Sequence, residues 1–213
     1  MKIFAQTLTY SNNSEIEIIN ELFQNKLDAL HVNKPAMSKK ELTSFINKID
    51  PEYHSKIVLY QHHFLAKKFN CKAIHLKRKK LNSFFAKFKH IMLKLSIPNL
   101  RLTTTISPSS LRNSKDLEVE YALVGPIYKK YSEDNVRLLF DRFKLKKWIS
   151  NSNIKSIAFG SIDNSNVDTI ENLGFDGLIL NSAIWRSHEP IEDFKEMILK
   201  VKRKSNNISS KAI

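Results

Sequence analysis

Eight short runs rich in apolar and β-branched residues recur along the chain, and this recurrence constrains the fold more than any other feature. They are KIFAQTL (2–8), LDALHV (27–32), KIVLY (56–60), KAIHL (72–76), LRLTTTI (100–106), EYALVG (120–125), IKSIAFG (154–160) and DGLILN (176–181). Most lie about 20–35 residues apart, with helical patterns fitted between them. Ser38 and Glu41 open one such helix as a capping box, and Leu42, Phe45, Ile46 and Ile49 then form its apolar stripe. Gly174 is placed to cap another at its C-terminus, and Pro190 to begin the last. Strands this apolar, alternating with helices, imply a parallel sheet covered on its faces. The number eight selects a closed (β/α)8 TIM barrel of the α/β class over a doubly wound sheet. The turn after the first strand, TYSNNSE, also lacks the glycine-rich fingerprint of the doubly wound alternative.

The chain has 213 residues, of which 42% are hydrophobic, enough for one large core. No linker rich in Gly, Pro or Ser divides it. We therefore expect one barrel domain over residues 1–203 and a flexible tail over 204–213. The lone Cys71 cannot form an internal disulfide and suits a buried thiol in a reducing compartment. The N-terminus does not read as a signal peptide, and no run approaches the roughly 18 apolar residues of a membrane span. A cytoplasmic protein without membrane contact is the expectation.

Net charge is +14, which points to anionic partners. Lysine outnumbers arginine 28 to 7 and is spread over nearly every segment, which argues against nucleic acid and for plain solvated surface; among anionic partners, phosphorylated small molecules remain the expectation. A homo-oligomer is compatible with the sequence but not required by it.

Active sites of (β/α)8 barrels lie at the C-terminal ends of the strands. That rule selects Asn33 and Lys34, Gln61 and His62, Lys77 and Arg78, Ser107, Gly125 through Lys130, Gly160 and Ser161, and Asn181 and Ser182. The last two loops, FGSIDNSN and LNSAIW, are built of small residues through which a backbone can approach a phosphate. Histidines are weighed individually. His62 and His63 diverge as neighbours, so at most one faces the barrel mouth. His75 lies in a strand and points either inward or toward the helices. A structural role is the default for each.

The segment order resembles thiamine phosphate synthase and its thiazole tautomerase relatives, over nearly the whole chain. DALHVNKP is similar to the family's second strand, and IVLYQHHFLAKKFNCKAIHL to its strand-helix-strand unit. TTTISPSSL and YALVGPIY resemble the next strands, and IAFGSIDNSNVDTIENLGFDGLILNSAIW its phosphate unit. The resemblance implies a (β/α)8 enzyme of thiamine biosynthesis that condenses hydroxymethylpyrimidine diphosphate with thiazole phosphate and releases pyrophosphate. Negative charge grows on the leaving group as positive charge appears on the pyrimidine methylene, so cations and Mg²⁺ are called for.

Carried onto this chain, the resemblance makes Thr105, His62 and Lys34 the catalytic candidates. It makes Asn33, Gly125, Lys129, Lys130, Gly160, Ser161, Asn181 and Ser182 the substrate and phosphate candidates. Gln61 stands at the metal position. Departures are clear. Ser161 replaces a glycine, Ser107 a histidine and Asn33 an arginine. Tyr60 and Gln61 stand for Asn-Asp, the second aspartate falls near Lys80, and a lysine position falls near Glu133. A glutamine and a lysine supply no carboxylate oxygen to hard Mg²⁺. A thiazole tautomerase-like isomerase, with His62 as acid-base group, and a non-catalytic phosphate-ligand binder are the alternatives; a nucleic-acid binder ranks last.

Overall fold

A computed structural model describes residues 1–10, 12, 14–77, 84–97, 99–107, 110–111, 117–130 and 136–209. Eight parallel strands form a closed barrel, so the predicted fold class is the observed one. In chain order they are β1 (Lys2–Gln6), β2 (Ala29–Val32), β3 (Ile57–Leu59), β4 (Ala73–Leu76), β5 (Arg101–Ile106), β6 (Tyr121–Val124), β9 (Lys155–Phe159) and β10 (Gly177–Leu180). Around the barrel the order is β1-β10-β9-β6-β5-β4-β3-β2, and each strand lies within the run that predicted it.

The chain divides into two compact units. The N-terminal unit comprises Ala5–Thr105 and Glu118–Tyr121; the C-terminal unit comprises Met1–Phe4, Ile106–Leu117 and Ala122–Ile213.

In the N-terminal unit, α1 (Glu15–Gln24) buries Ile19, Leu22 and Phe23. Each such side chain removed from water stabilises the fold by about 1.5–3 kcal/mol. Helix α2 (Lys39–Asn47) starts where Ser38 and Glu41 predicted. The Glu41 N–H donates to Ser38 Oγ at 3.3 Å and the Ser38 N–H to Glu41 Oε2 at 2.8 Å. A 3-10 segment, Pro51–Lys56, leads into β3, and the crossover to β4 holds only the short α3 (Leu65–Lys68). Helix α4 (Phe84–Ser96) precedes β5. The registers Leu30↔Ile57, Leu59↔Ile74 and His75↔Thr103 align β2 through β5.

In the C-terminal unit, β7 (Tyr128–Lys130) and β8 (Val136–Leu138) form an antiparallel hairpin outside the barrel. The sequence places Gly125 through Lys130 simply after the sixth strand and gives no sign of the hairpin. Strands of three residues are too short to show an alternation. Helix α5 (Arg142–Ser150) begins at Asp141, whose carboxylate accepts the Lys144 N–H at 2.9 Å. Helix α6 (Val167–Asn172) ends two residues before Gly174, which adopts φ +89°. Helix α7 (Ser182–Trp185) is a single turn, and α8 (Pro190–Ser209) opens with Glu192 and Asp193 in its first turn. Helical backbone thus continues to Ser209, into the segment expected to be a flexible tail; residues 210–213 lie outside the described ones. No helix among the described residues is long and apolar enough to cross a membrane.

Candidate active site

The N-terminal unit carries a polar interior. His31 on β2 is fully buried, with Nε2 2.7 Å from the Tyr121 hydroxyl and Nδ1 3.2 Å from the Tyr60 hydroxyl. Strands β3, β4 and β5 separate β2 from β6 in the barrel order, so two side chains that meet across them must project inward. His75 on β4 stacks flat on Tyr60, with centroids 4.0 Å apart and an interplanar angle of 10°. Its Nδ1 lies 2.9 Å from Thr103 Oγ1 and its Nε2 3.1 Å from Thr105 Oγ1. Burial lowers both imidazoles, His31 well below its usual value and His75 to about 3, and the neighbouring rings (His75 for His31, His63 for His75) add to the effect. Burial likewise raises the phenols of Tyr60 and Tyr121. At neutral pH the cluster is therefore uncharged.

The strand ends of this unit are tied to one another. Lys34 is fully buried, its ammonium paired with Glu15 Oε2 at 2.5 Å and donating to the Tyr10 carbonyl at 2.6 Å. Burial pushes the Glu15 carboxyl above its usual range, opposed by Lys34 and by the Leu8 N–H, which donates to Glu15 Oε1. Gln61 spans two strand ends. Its Nε2 donates to Asn33 Oδ1 at 2.9 Å and its Oε1 accepts the Lys34 N–H at 3.2 Å, while the Asn33 N–H donates to Thr7 Oγ1. His62 is exposed at φ +49°, its Nε2 3.0 Å from the Met37 carbonyl. The half-buried His63 bonds the Tyr60 carbonyl. Lys77 is exposed.

The C-terminal unit contributes backbone rather than charge. Gly125 follows β6 and Gly160 follows β9, and the two turns touch. The Ile127 N–H donates to the Phe159 carbonyl at 2.7 Å, and the Gly125–Pro126 peptide is cis. A Cβ on Gly125 would lie 2.4 Å from Phe159 O, and one on Gly160 2.5 Å from Pro126 Cβ. Only glycine fits either place. Ser161 accepts a left-handed conformation at φ +47°, where Asn166 Nδ2 holds its carbonyl at 2.9 Å. After β10, the exposed Asn181 caps α7, its carbonyl accepting the Ile184 N–H, and Ser182 is half-buried. Ser107 Oγ lies 2.7 Å from Ser110 Oγ. Lys129 is exposed on β7, opposite Arg137, and Lys130 pairs with Val136 in the same hairpin. Arg78, Lys80 and Glu133 lie outside the described residues. A surface groove of about 260 Å³ between Arg142, Phe143, Lys146, Thr169, Asn172 and Leu173 contains none of the expected site residues.

With this geometry in hand, comparison with known proteins is decisive for the family. The family model for thiamine monophosphate synthase (TMP-TENI) matches residues 3–184. The chain belongs to this family. A thiamine-phosphate synthase of Staphylococcus epidermidis is 28% identical over 154 residues, covering 70% of this chain and 68% of that protein. The thiamine phosphate pyrophosphorylase of Bacteroides thetaiotaomicron superposes with a TM-score of 0.70 at 23% identity, over 92% of this chain and 95% of its own. That of Pyrococcus furiosus reaches 0.73 at 17% identity, over 95% and 96%. These two structures share the barrel fold. Family membership makes the chain a transferase of the thiamine phosphate synthase type.

The metal expected from the resemblance fits poorly with the residues present. Among the described residues no group of three His, Cys, Asp or Glu side chains is arranged to hold an ion. At the position named for the metal, the Gln61 oxygen already accepts the Lys34 N–H. A neutral amide so engaged is a weak donor for hard Mg²⁺.

Two features escaped the sequence reading. His31 and Tyr121 were read only as strand residues, yet they meet across 90 positions of sequence. Glu15 was not singled out at all, though it neutralises Lys34. A buried lysine demands a nearby carboxylate, but nothing in the local pattern says which one.

Proposed function

We propose that this family member is a thiamine phosphate synthase, joining hydroxymethylpyrimidine diphosphate to thiazole phosphate with release of pyrophosphate. The observation that carries the reading is the turn after β9. There Gly160 at φ +102° and Ser161 at φ +47° are two consecutive positive-φ residues, in a turn of small residues that lets a phosphate approach the backbone closely. Asn181 and Ser182 supply the second small-residue turn, and Gly125 is the residue whose missing Cβ lets the β6 turn lie against Phe159.

In this reading, the phosphate of the thiazole sits on the Gly160–Ser161 and Asn181–Ser182 turns. Lys129 and Lys130 offset the charge that grows on departing pyrophosphate. Thr105 meets the pyrimidine. Lys34 acts through its buried pair, fixing the β2 end, which carries Asn33 and is tied to the β3 end through the Gln61 side chain, rather than by touching pyrophosphate. His62 is not needed for any step. Mg²⁺ bound with the diphosphate would supply positive charge to its oxygens, but no cluster of His, Cys, Asp or Glu among the described residues is arranged to hold it.

The test is direct: purified protein is incubated with both substrates, with and without Mg²⁺, and thiamine phosphate and pyrophosphate are measured. Stoichiometric formation of both products supports the reading. A pyrimidine diphosphate that neither binds nor turns over removes it.

A further inference from the structure

Helix α4 carries an apolar stripe on its water-facing side. Phe88, Ile91, Met92 and Leu95 stand at i, i+3, i+4 and i+7, so they share one face. Each is exposed, from 45% at Met92 to 76% at Leu95. The opposite face is the one that packs: Leu93 and, just past the helix, Ile97 are 1% and 5% exposed. The stripe is therefore additional to the core face. An outer helix of a barrel ordinarily turns polar residues to water, and a contiguous apolar patch there marks a contact.

The charge around the stripe selects the kind of contact. Between Glu52 and Asp116 the chain has no acidic residue. In that stretch lie 14 of its 35 lysines and arginines, while the remaining 21 balance the chain's 21 carboxylates. The whole net charge of +14 thus arises in one segment, with α4 inside it. On the 3.6-residue period Lys87 and Lys94 fall along one edge of the stripe and Lys89 along the other. Lys67, Lys68, Lys72 and Lys77, on either side of β4, are exposed.

A second copy on this face would set two acid-free surfaces against each other, which like charges oppose. The cations are 11 lysines to 3 arginines, point charges suited to a diffuse anionic surface more than to one forked contact. The 13 residues of α4 rise about 20 Å, short of the roughly 30 Å of a hydrocarbon core. Such a helix lies on a bilayer and does not cross it.

We propose that α4 is a membrane-surface contact, its apolar stripe entering the headgroup region of an anionic phospholipid bilayer while the flanking lysines meet the lipid charges. The expectation of no membrane contact drew on the absence of a spanning run, which bears on crossing a bilayer and not on lying against one. The contact is independent of the synthase reading.

Cosedimentation of the full chain with vesicles tests it. Binding is expected to phosphatidylcholine vesicles containing phosphatidylserine, and not to phosphatidylcholine alone. Ile91→Gln with Leu95→Gln should weaken it roughly tenfold or more. These are exposed positions, so circular dichroism and Tm should stay as in wild type. Phe143→Gln, which removes an 88% exposed ring outside the acid-free stretch, should leave binding unchanged. Independently, Phe88→Trp should add a blue-shifted emission over wild type when the anionic vesicles are present. Absence of vesicle binding overturns the proposal. So does binding that high salt abolishes but the double substitution does not touch, since charge alone would then hold the chain. Sedimentation velocity showing a lipid-free dimer that the double substitution dissociates would make the stripe a self-interface and overturn it as well. Retention on immobilised polyglutamate with no vesicle binding would point to an acidic protein instead.

Discussion

The two units of this chain solve the same problem, a packed barrel strand, with opposite chemistry. Of the described residues that are buried and polar, Thr7, Glu15, His31, Lys34, His75, Thr103 and Thr104 belong to the N-terminal unit; Ser156 belongs to the C-terminal one. The N-terminal unit spends its interior on a neutral histidine-tyrosine-threonine network and a closed ion pair. The C-terminal unit keeps a largely apolar interior among its described residues and places its special features in backbone turns, where Gly125 lies against Phe159 and Gly160 against Pro126. The difference teaches where each unit is fragile. One depends on partners for buried polar groups, the other on space for backbone.

The largest effect should come from opening the ion pair. Glu15→Ala leaves the Lys34 ammonium buried without its carboxylate, and loss of about 3–5 kcal/mol is expected in urea denaturation. A small loss would mean that Lys34 finds water, and that the N-terminal interior is less closed than described. The matching test of the other unit is Gly125→Ala. Its Cβ meets a backbone carbonyl that cannot move aside, so a cost of up to about 3 kcal/mol is expected by the same measurement.

Acidification should separate the units by mechanism. The folded value of His75 lies near 3, below its unfolded value near 6.5. Between those limits the unfolded chain binds the proton and the folded chain does not. Its contribution is therefore complete above about pH 6.5 and is lost as pH falls toward 3. By pH 5 that amounts to about 2 kcal/mol for His75, and His31 acts in the same direction. Stability measured from pH 7 to pH 5 should fall accordingly, and His75→Gln should flatten the slope. An unchanged slope would show that His75 is not the group that titrates.

The smallest effects serve as a control on the comparison. Ser38→Ala in the N-terminal unit and Asp141→Ala in the C-terminal unit each remove a helix N-cap. Both should cost about 1 kcal/mol. Equal losses place the contrast between the units in their interiors and turns rather than in their helices.

Much of the framework was legible in the sequence. The eight apolar runs located every barrel strand, because a strand buried on both faces must be apolar along its length. Ser38 with Glu41 announced α2, because a capping box is a local bond between residues three apart. The candidate site was legible only as strand ends. Asn33, Gln61, Gly125, Gly160 and Asn181 do follow strands, but their order in sequence did not reveal that Gln61 clasps Asn33 and the Lys34 backbone. The β7–β8 hairpin was missed because a lysine-rich three-residue strand has no pattern of its own.

By itself, then, the sequence determined the class of fold, the number and place of its strands and the turns where glycine stands, since each of these follows from spacing along the chain. Tertiary structure alone decided that His31 meets Tyr121, that His75 joins Thr103 to Thr105, and that Lys34 is paired with Glu15. Those contacts depend on which strands become neighbours and which face of each strand turns inward. A barrel settles both only on closing, when side chains tens of residues apart are driven into one interior and each buried polar group takes the partner within its reach.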